Sequence, residues 1–178
     1  EEEIILKIYK RYHREFPQLR MVIAPRHVER ASEVEGLIRS FGLNCCLFSK
    51  GTCRQETDSV LLIDTIGQLR QLYSVASFVF VGKSLTVPGG HNIIEPAFFA
   101  KPIVVGPKMQ NFRDVMQAFV QAGAIVEVRD AQKLDAAVGR FLSEPAFARE
   151  IGHRAREVIT QQKGATTKIV EEISRWME

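Results

Sequence analysis

The stretch Gly89-Gly90-His91-Asn92-Ile93-Ile94-Glu95-Pro96 gathers residue types that chemistry can use. Two glycines let a backbone approach a ligand closely, and N–H groups in the first turn of a helix attract phosphate or carboxylate. Glu95 would bring a carboxylate to the same crevice, where its two oxygens can accept hydrogen bonds from the adjacent hydroxyls of a ribose. The set suits a nucleotide. The same spacing is that of a capping box, with Asn92 as N-cap and Glu95 as its partner, which needs no ligand. Both accounts stay open on spacing alone. Pro96 fits a helix start in either case, because its missing N–H is tolerated in the first turn.

Three further stretches carry groups of the same kind. Pro25-Arg26-His27 follows an apolar run, so Arg26 and His27 should emerge at the carboxyl end of a strand. A guanidinium offers a planar fork to phosphate or carboxylate, and an imidazole can donate or change protonation near neutral pH. A solvated turn before a helix is the plainer account of that tripeptide. In Asp64-Thr65-Ile66-Gly67-Gln68-Leu69, Thr65 and Gln68 have capping-box spacing, and Asp64 and Gly67 are the candidates for ligand contact. Ser84 and the loop to Pro88 could line a crevice, with Lys83 adding positive charge. Asn111 is an N-cap or a polar ligand contact.

These stretches need elements to position them, and the hydrophobic pattern supplies them. Apolar residues at helical spacing predict helices over 4–14, 29–40, 68–76, 92–100 and 112–122. Short apolar runs predict strands over 19–24, 44–48, 60–63, 78–81, 103–105 and 124–128. Strand and helix alternate, which argues for a doubly wound, Rossmann-like parallel sheet in one domain spanning 1–178, with ligands at the carboxyl ends of the strands. Four of the candidate stretches fall after successive strands. Residues 131–177 read as a helical tail of three segments broken at Pro145 and Gly164, with Ile169, Val170, Ile173 and Trp176 forming a last apolar face. A doubly wound domain begins with a strand, yet this chain begins in a helix. With an opening Glu1-Glu2-Glu3, no initiator Met and no signal peptide, a first strand is expected to be missing and the chain reads as a piece of a longer protein.

Composition excludes several classes. At 178 residues, 46% hydrophobic and 25% charged, the chain is neither disordered nor fibrous. The longest apolar runs fall far short of the ~20 residues that span a bilayer. Net charge is +3 from 24 Lys and Arg against 21 Asp and Glu, without a dense basic run, so nucleic acid is not the expected partner, and the modest excess suits a small anionic ligand or a face near anionic lipid. Cys45, Cys46 and Cys53 are odd in number and lack metal spacing, which reads as a reducing compartment. His13, His27, His91 and His153 are scattered, so no metal site is expected.

The stretches PRH at 25–27, DTIGQL at 64–69, and GGHNIIEP at 89–96 followed by AFFAKPIVVGP and NF together resemble the carboxyl-terminal, donor-binding domain of 3-deoxy-D-manno-octulosonic acid (Kdo) transferases. The resemblance runs from about residue 1 to 175. It implies the second half of a two-domain GT-B glycosyltransferase that moves Kdo from CMP-Kdo onto lipid A precursor, at the cytoplasmic face of the inner membrane of Gram-negative bacteria. It implies an inverting reaction whose general base lies in an absent amino-terminal acceptor domain, so this chain alone should be inactive and holds no catalytic residue. Matched position by position, Arg26 and His27 would face the anionic donor, Gly89, Gly90, His91 and Asn92 would hold its phosphate region, and Glu95 would take the ribose hydroxyls. Asp64, Gly67, Ser84 and Asn111 are further candidates for donor contact.

Two positions depart from the family's pattern: Gln68 stands where an acidic residue is frequent, and Lys108 where His is common. No D-x-D metal signature is present, so no cofactor and a metal-independent reaction are expected. Two alternatives remain on the sequence. One is the donor domain of another GT-B enzyme, such as a UDP-sugar transferase or epimerase; the other is a nucleotide-binding module without catalysis.

Overall fold

The computed structural model of the chain describes residues 1–51 and 60–176, with side chains for 1–51 and 60–161. The chain divides into two compact units, Glu1–Leu72 and Tyr73–Glu178.

In the first unit, α1 (Glu2–Glu15) is followed by β1 (Met21–Ile23), a 3₁₀ turn at Val28–Arg30, α2 (Ala31–Ser40), β2 (Cys45–Leu47), a 3₁₀ turn at Phe48–Lys50, and β3 (Val60–Leu62). Helix α1 buries Leu6, Ile8, Tyr9 and Tyr12. It stops at Phe16, whose φ of −125° and ψ of 80° leave the helical region, because Pro17 bars its predecessor from that region. Helix α2 buries Val34 and Ile38 and ends before Gly42, at φ +70°. The strands form a parallel sheet in the order β1-β3-β2. In register, Ile23 and Leu47 both stand opposite Leu62, so the segments leaving all three strands share one edge. The core joins Leu6, Tyr9, Ile23, Val34, Ile38, Val60 and Leu62. Cys45 and Cys46 on β2 are both buried, and Cys53 lies outside the described residues.

Helix α3 (Leu69–Val75) carries the chain into the second unit. There β4 (Val79–Val81), α4 (Ile94–Phe98), β5 (Ile103–Val105), a 3₁₀ turn at Gln110–Phe112, α5 (Arg113–Gln121), β6 (Val126–Glu127), α6 (Ala131–Ser143) and α7 (Pro145–Trp176) follow in order. The sheet is again parallel, in the order β4-β5-β6. Its central strand is fully covered, Ile103, Val104 and Val105 all being 0% exposed, as the unbroken apolar run requires. Asp130 caps α6, its Oδ1 accepting from Lys133 N at 2.8 Å. Pro145 opens α7, where a missing N–H costs nothing. The core joins Val81, Ile93, Ala97, Ile103, Val105, Phe119, Ala155 and Val158.

The expected alternation of strands and helices and the parallel pairing both hold. Four local expectations do not. Helix α7 runs unbroken through Gly164, since one glycine in a long helix lowers stability by about 1 kcal/mol without ending it. The tail therefore has two helices, and the apolar face at Ile169, Val170, Ile173 and Trp176 lies outside the described side chains. Thr65 caps nothing, because α3 begins at Leu69. Asn111 is no N-cap, because α5 begins at Arg113 after a 3₁₀ turn. The helix expected over 92–100 is shorter, Ile94–Phe98, and Ala100 leaves it at φ +53°. No helix among the described residues is long and apolar enough to cross a membrane.

Candidate functional site

Each sheet presents the candidate residues of its own unit at its carboxyl edge. In the first unit, Arg26 and His27 follow β1 and both are exposed. Asp64 follows β3, the middle strand, and is held from the side of β2: Ser49 N donates to Oδ1 at 2.8 Å and Ser49 Oγ donates to Oδ2. The Ser49 hydroxyl holds the Asp64 carboxyl below its ordinary range, against the opposing effect of burial, with the Ser49 N–H helping. Asp64 is therefore an anion whose position is fixed. Gly67 takes φ +98° and is exposed, in a turn that a side chain would strain. Ser49 was not singled out by its sequence neighbourhood; only the pairing of β2 with β3 brings it to Asp64.

In the second unit, the loop after β4 and the loop after β5 are bonded into one frame. Ser84 is 0% exposed; its hydroxyl donates to Val81 O at 2.6 Å and accepts from Gly106 N at 2.8 Å. Lys108 N donates to Ser84 O at 2.8 Å, and Lys108 Nζ to Thr86 O at 2.7 Å. Gly89 N donates to both Lys108 O and Gln110 Oε1, each at 3.1 Å, and Gly89 O accepts from Asn111 N at 3.0 Å. Gly90 N donates to Lys83 O at 2.6 Å.

The two glycine N–H groups are thus turned into the protein. What requires glycine is shape. Gly89 has φ +132° and Gly90 φ +74°, and a side chain on Gly90 would run into Met109. Lys83 holds φ +56° without being glycine, a local strain set in the first residues after β4.

His91 and Asn92 lead from this frame into α4. Asn92 Oδ1 accepts from Ile94 N at 2.9 Å, and Asn92 Nδ2 donates to Glu95 Oε1 at 3.1 Å. This is not the expected capping box. The N-cap is Ile93 with no side-chain cap, and the Glu95 carboxylate reaches the Asn92 side chain, not its backbone. Glu95 is exposed and has one oxygen engaged. Tyr73 has its hydroxyl pushed up to about 12, chiefly by burial and further by the charge of Glu95. Among the described residues, no three His, Cys, Asp or Glu side chains gather in a way that could hold a metal ion. In chemical terms, the first unit offers a cation, an imidazole and a fixed carboxylate at one edge; the second offers a rigid double loop leading to an amide-oriented carboxylate.

Known proteins are similar to this chain in sequence and fold. The family model for glycosyl transferases group 1 matches residues 3–158. The chain is 30% identical over its whole length to the 3-deoxy-D-manno-octulosonic acid transferase of Haemophilus influenzae, of which it covers 42%. It is 33% identical over 143 residues to the transferase of the same name from Aquifex aeolicus, covering 39% of it. The chain thus spans about two fifths of the length of these relatives. The crystal structure of the C-terminal CMP-Kdo binding domain of WaaA from Acinetobacter baumannii is similar with a TM-score of 0.83 and 32% identity, over 89% of this chain and 83% of that one. A family match over most of the chain, joined to a shared fold, means that the chain belongs to the group 1 glycosyl transferases and, among them, with the carboxyl-terminal domains of Kdo transferases.

Proposed function

We propose that residues 1–178 serve as one donor-binding domain that holds CMP-Kdo for transfer of Kdo to lipid A precursor. The observation that carries this reading is the Asn92–Glu95 pair, set at the exit of a rigid glycine double loop, in a chain similar to a CMP-Kdo binding domain. Glu95 accepts the ribose hydroxyls, and Gly89, Gly90, His91 and Asn92 shape the surface for the phosphate region. Arg26 and His27 offer positive charge and donors to the donor's anionic groups. Asp64, Gly67, Ser84 and Asn111 act in support, Ser84 by bracing loops from inside.

The transfer is inverting: a base removes the acceptor proton while a preorganised positive site stabilises the departing CMP phosphate. The base and the acceptor surface belong to a further domain, and the reaction takes place at the cytoplasmic face of the bacterial inner membrane. A nucleoside monophosphate leaving group carries less charge than a diphosphate, so no metal is needed. Transfer by the whole enzyme is then unchanged by a chelator, and loss of activity in chelator would overturn this part.

Calorimetric titration with CMP, UMP and AMP tests the reading. CMP binds selectively, and Glu95→Ala weakens it by about 1–3 kcal/mol while circular dichroism shows the fold intact. Equal binding of all three nucleotides, or of CMP by the variant and the parent chain, would count against it.

A further inference from the structure

Helix α1 has two opposite faces. One buries Leu6, Ile8, Tyr9 and Tyr12; the other carries Lys7, Lys10, Arg11 and Arg14, all exposed. Their spacing of i, i+3, i+4 and i+7 sets them along one stripe of about two turns, roughly 10 Å long. Beside it, within the first unit, lies an open concavity of about 610 Å³ lined by these four cations, Glu15 and Phe41. Lys10 Nζ donates to Phe41 O at 2.6 Å, which ties the stripe to the end of α2. Lys7 pairs with Glu3 at 2.7 Å, but both side chains are more than half exposed, so water and salt screen that contact.

Like charges four residues apart destabilise a helix, and Lys7 with Arg11 and Lys10 with Arg14 are two such pairs. Elsewhere in the first unit exposed arginines are matched within a turn, Arg30 by Glu33 and Arg39 by Glu35. The stripe is flanked by acids only at its ends, by Glu3 and Glu15. It therefore gains from an anionic partner. Long, flexible cationic side chains at a surface respond to charge density more than to the shape of one ligand. The rings of α1, Tyr9 and Tyr12, are buried, so the helix presents none for a nucleic-acid base to stack on. A bilayer surface supplies many phosphate groups without fixed geometry. We propose that the Lys7–Lys10–Arg11–Arg14 face of α1 docks this domain on anionic lipid headgroups. The choice of lipid among polyanions rests on the reading above, in which the acceptor is a lipid at a membrane surface.

Sedimentation with phosphatidylglycerol vesicles and with phosphatidylcholine vesicles tests this. The parent chain should bind the first and not the second, and should be released as salt rises. Lys7→Gln and Arg14→Gln should each weaken vesicle binding about 5-fold, whereas Arg149→Gln, which removes an exposed cation from α7, should change it less than about 2-fold. All three variants should melt and bind CMP like the parent chain. Equal binding to both kinds of vesicle would overturn the proposal. So would equal losses in all three variants, since net charge and not this face would then decide. A preference for duplex DNA over phosphatidylglycerol vesicles at equal phosphate would assign the face to nucleic acid and overturn it as well. A chain that binds CMP but no vesicle would overturn the lipid face alone; one that binds anionic vesicles but not CMP would overturn the donor-binding reading alone.

Discussion

Asp64, a candidate ligand contact, also carries a structural role in the fold. Its place after a strand suggests a ligand contact, and the adjacent Thr65–Gln68 spacing suggests a cap. In the fold each of its two oxygens accepts a hydrogen bond from Ser49, fifteen residues earlier. Because the Ser49 hydroxyl lowers the folded-state pKa of Asp64 from its usual 3.8, the bond contributes stability above that pH and loses it as pH falls through the folded value. Ser49→Ala should therefore be less stable than the parent chain at neutral pH. The gap should close below about pH 4, measured by urea unfolding across pH; a gap that stays constant would mean that the carboxylate charge is not involved. Asn92 and Glu95 were legible as a pair because three-residue spacing is a local matter. Which atoms they join was not, since the backbone of α4 starts one residue later than a capping box demands. Ser49 was invisible for a related reason: only strand pairing brings it to Asp64.

Elements were easier to read than their ends. All six strands and the helices from α1 to α6 match apolar periodicity, because burial of one face fixes that pattern directly. Ends depend on single residues, as at Pro17, Gly42 and Ala100, and a sequence window blurs them. Glycines divide in the same way. Gly36 lies within α2 with nothing within 4 Å of the position a side chain would take, so Gly36→Ala should raise stability by about 0.5–1 kcal/mol. Gly152, on α7, faces the Ala100 backbone oxygen so closely that a methyl group would fall on it. Gly152→Ala should lower stability by at least about 2 kcal/mol, because α7 must move off the exit of α4. Chemical denaturation of both variants checks the contrast, and equal effects would refute it. Nothing in the local sequence separates these two glycines; only the approach of α4 to α7 does.

At the scale of the molecule, the chain spans about two fifths of its relatives' length. The proposal then makes a sharp division of labour. Residues 1–178 should bind the nucleotide sugar and transfer nothing to a lipid acceptor in an assay that follows labelled Kdo; transfer by this chain alone would place the base here and refute the division. Nearly balanced charge, 24 positive against 21 negative residues, fits a domain whose ligand is a small anion. The double loop held by the buried Ser84 hydroxyl has one further consequence. It is already fixed by the internal hydrogen bonds of Ser84, Lys108, Gly89, Gly90 and Asn111. Little of it remains to be ordered when a ligand arrives, so association there should carry only a small conformational entropy penalty and proceed without a slow rearrangement.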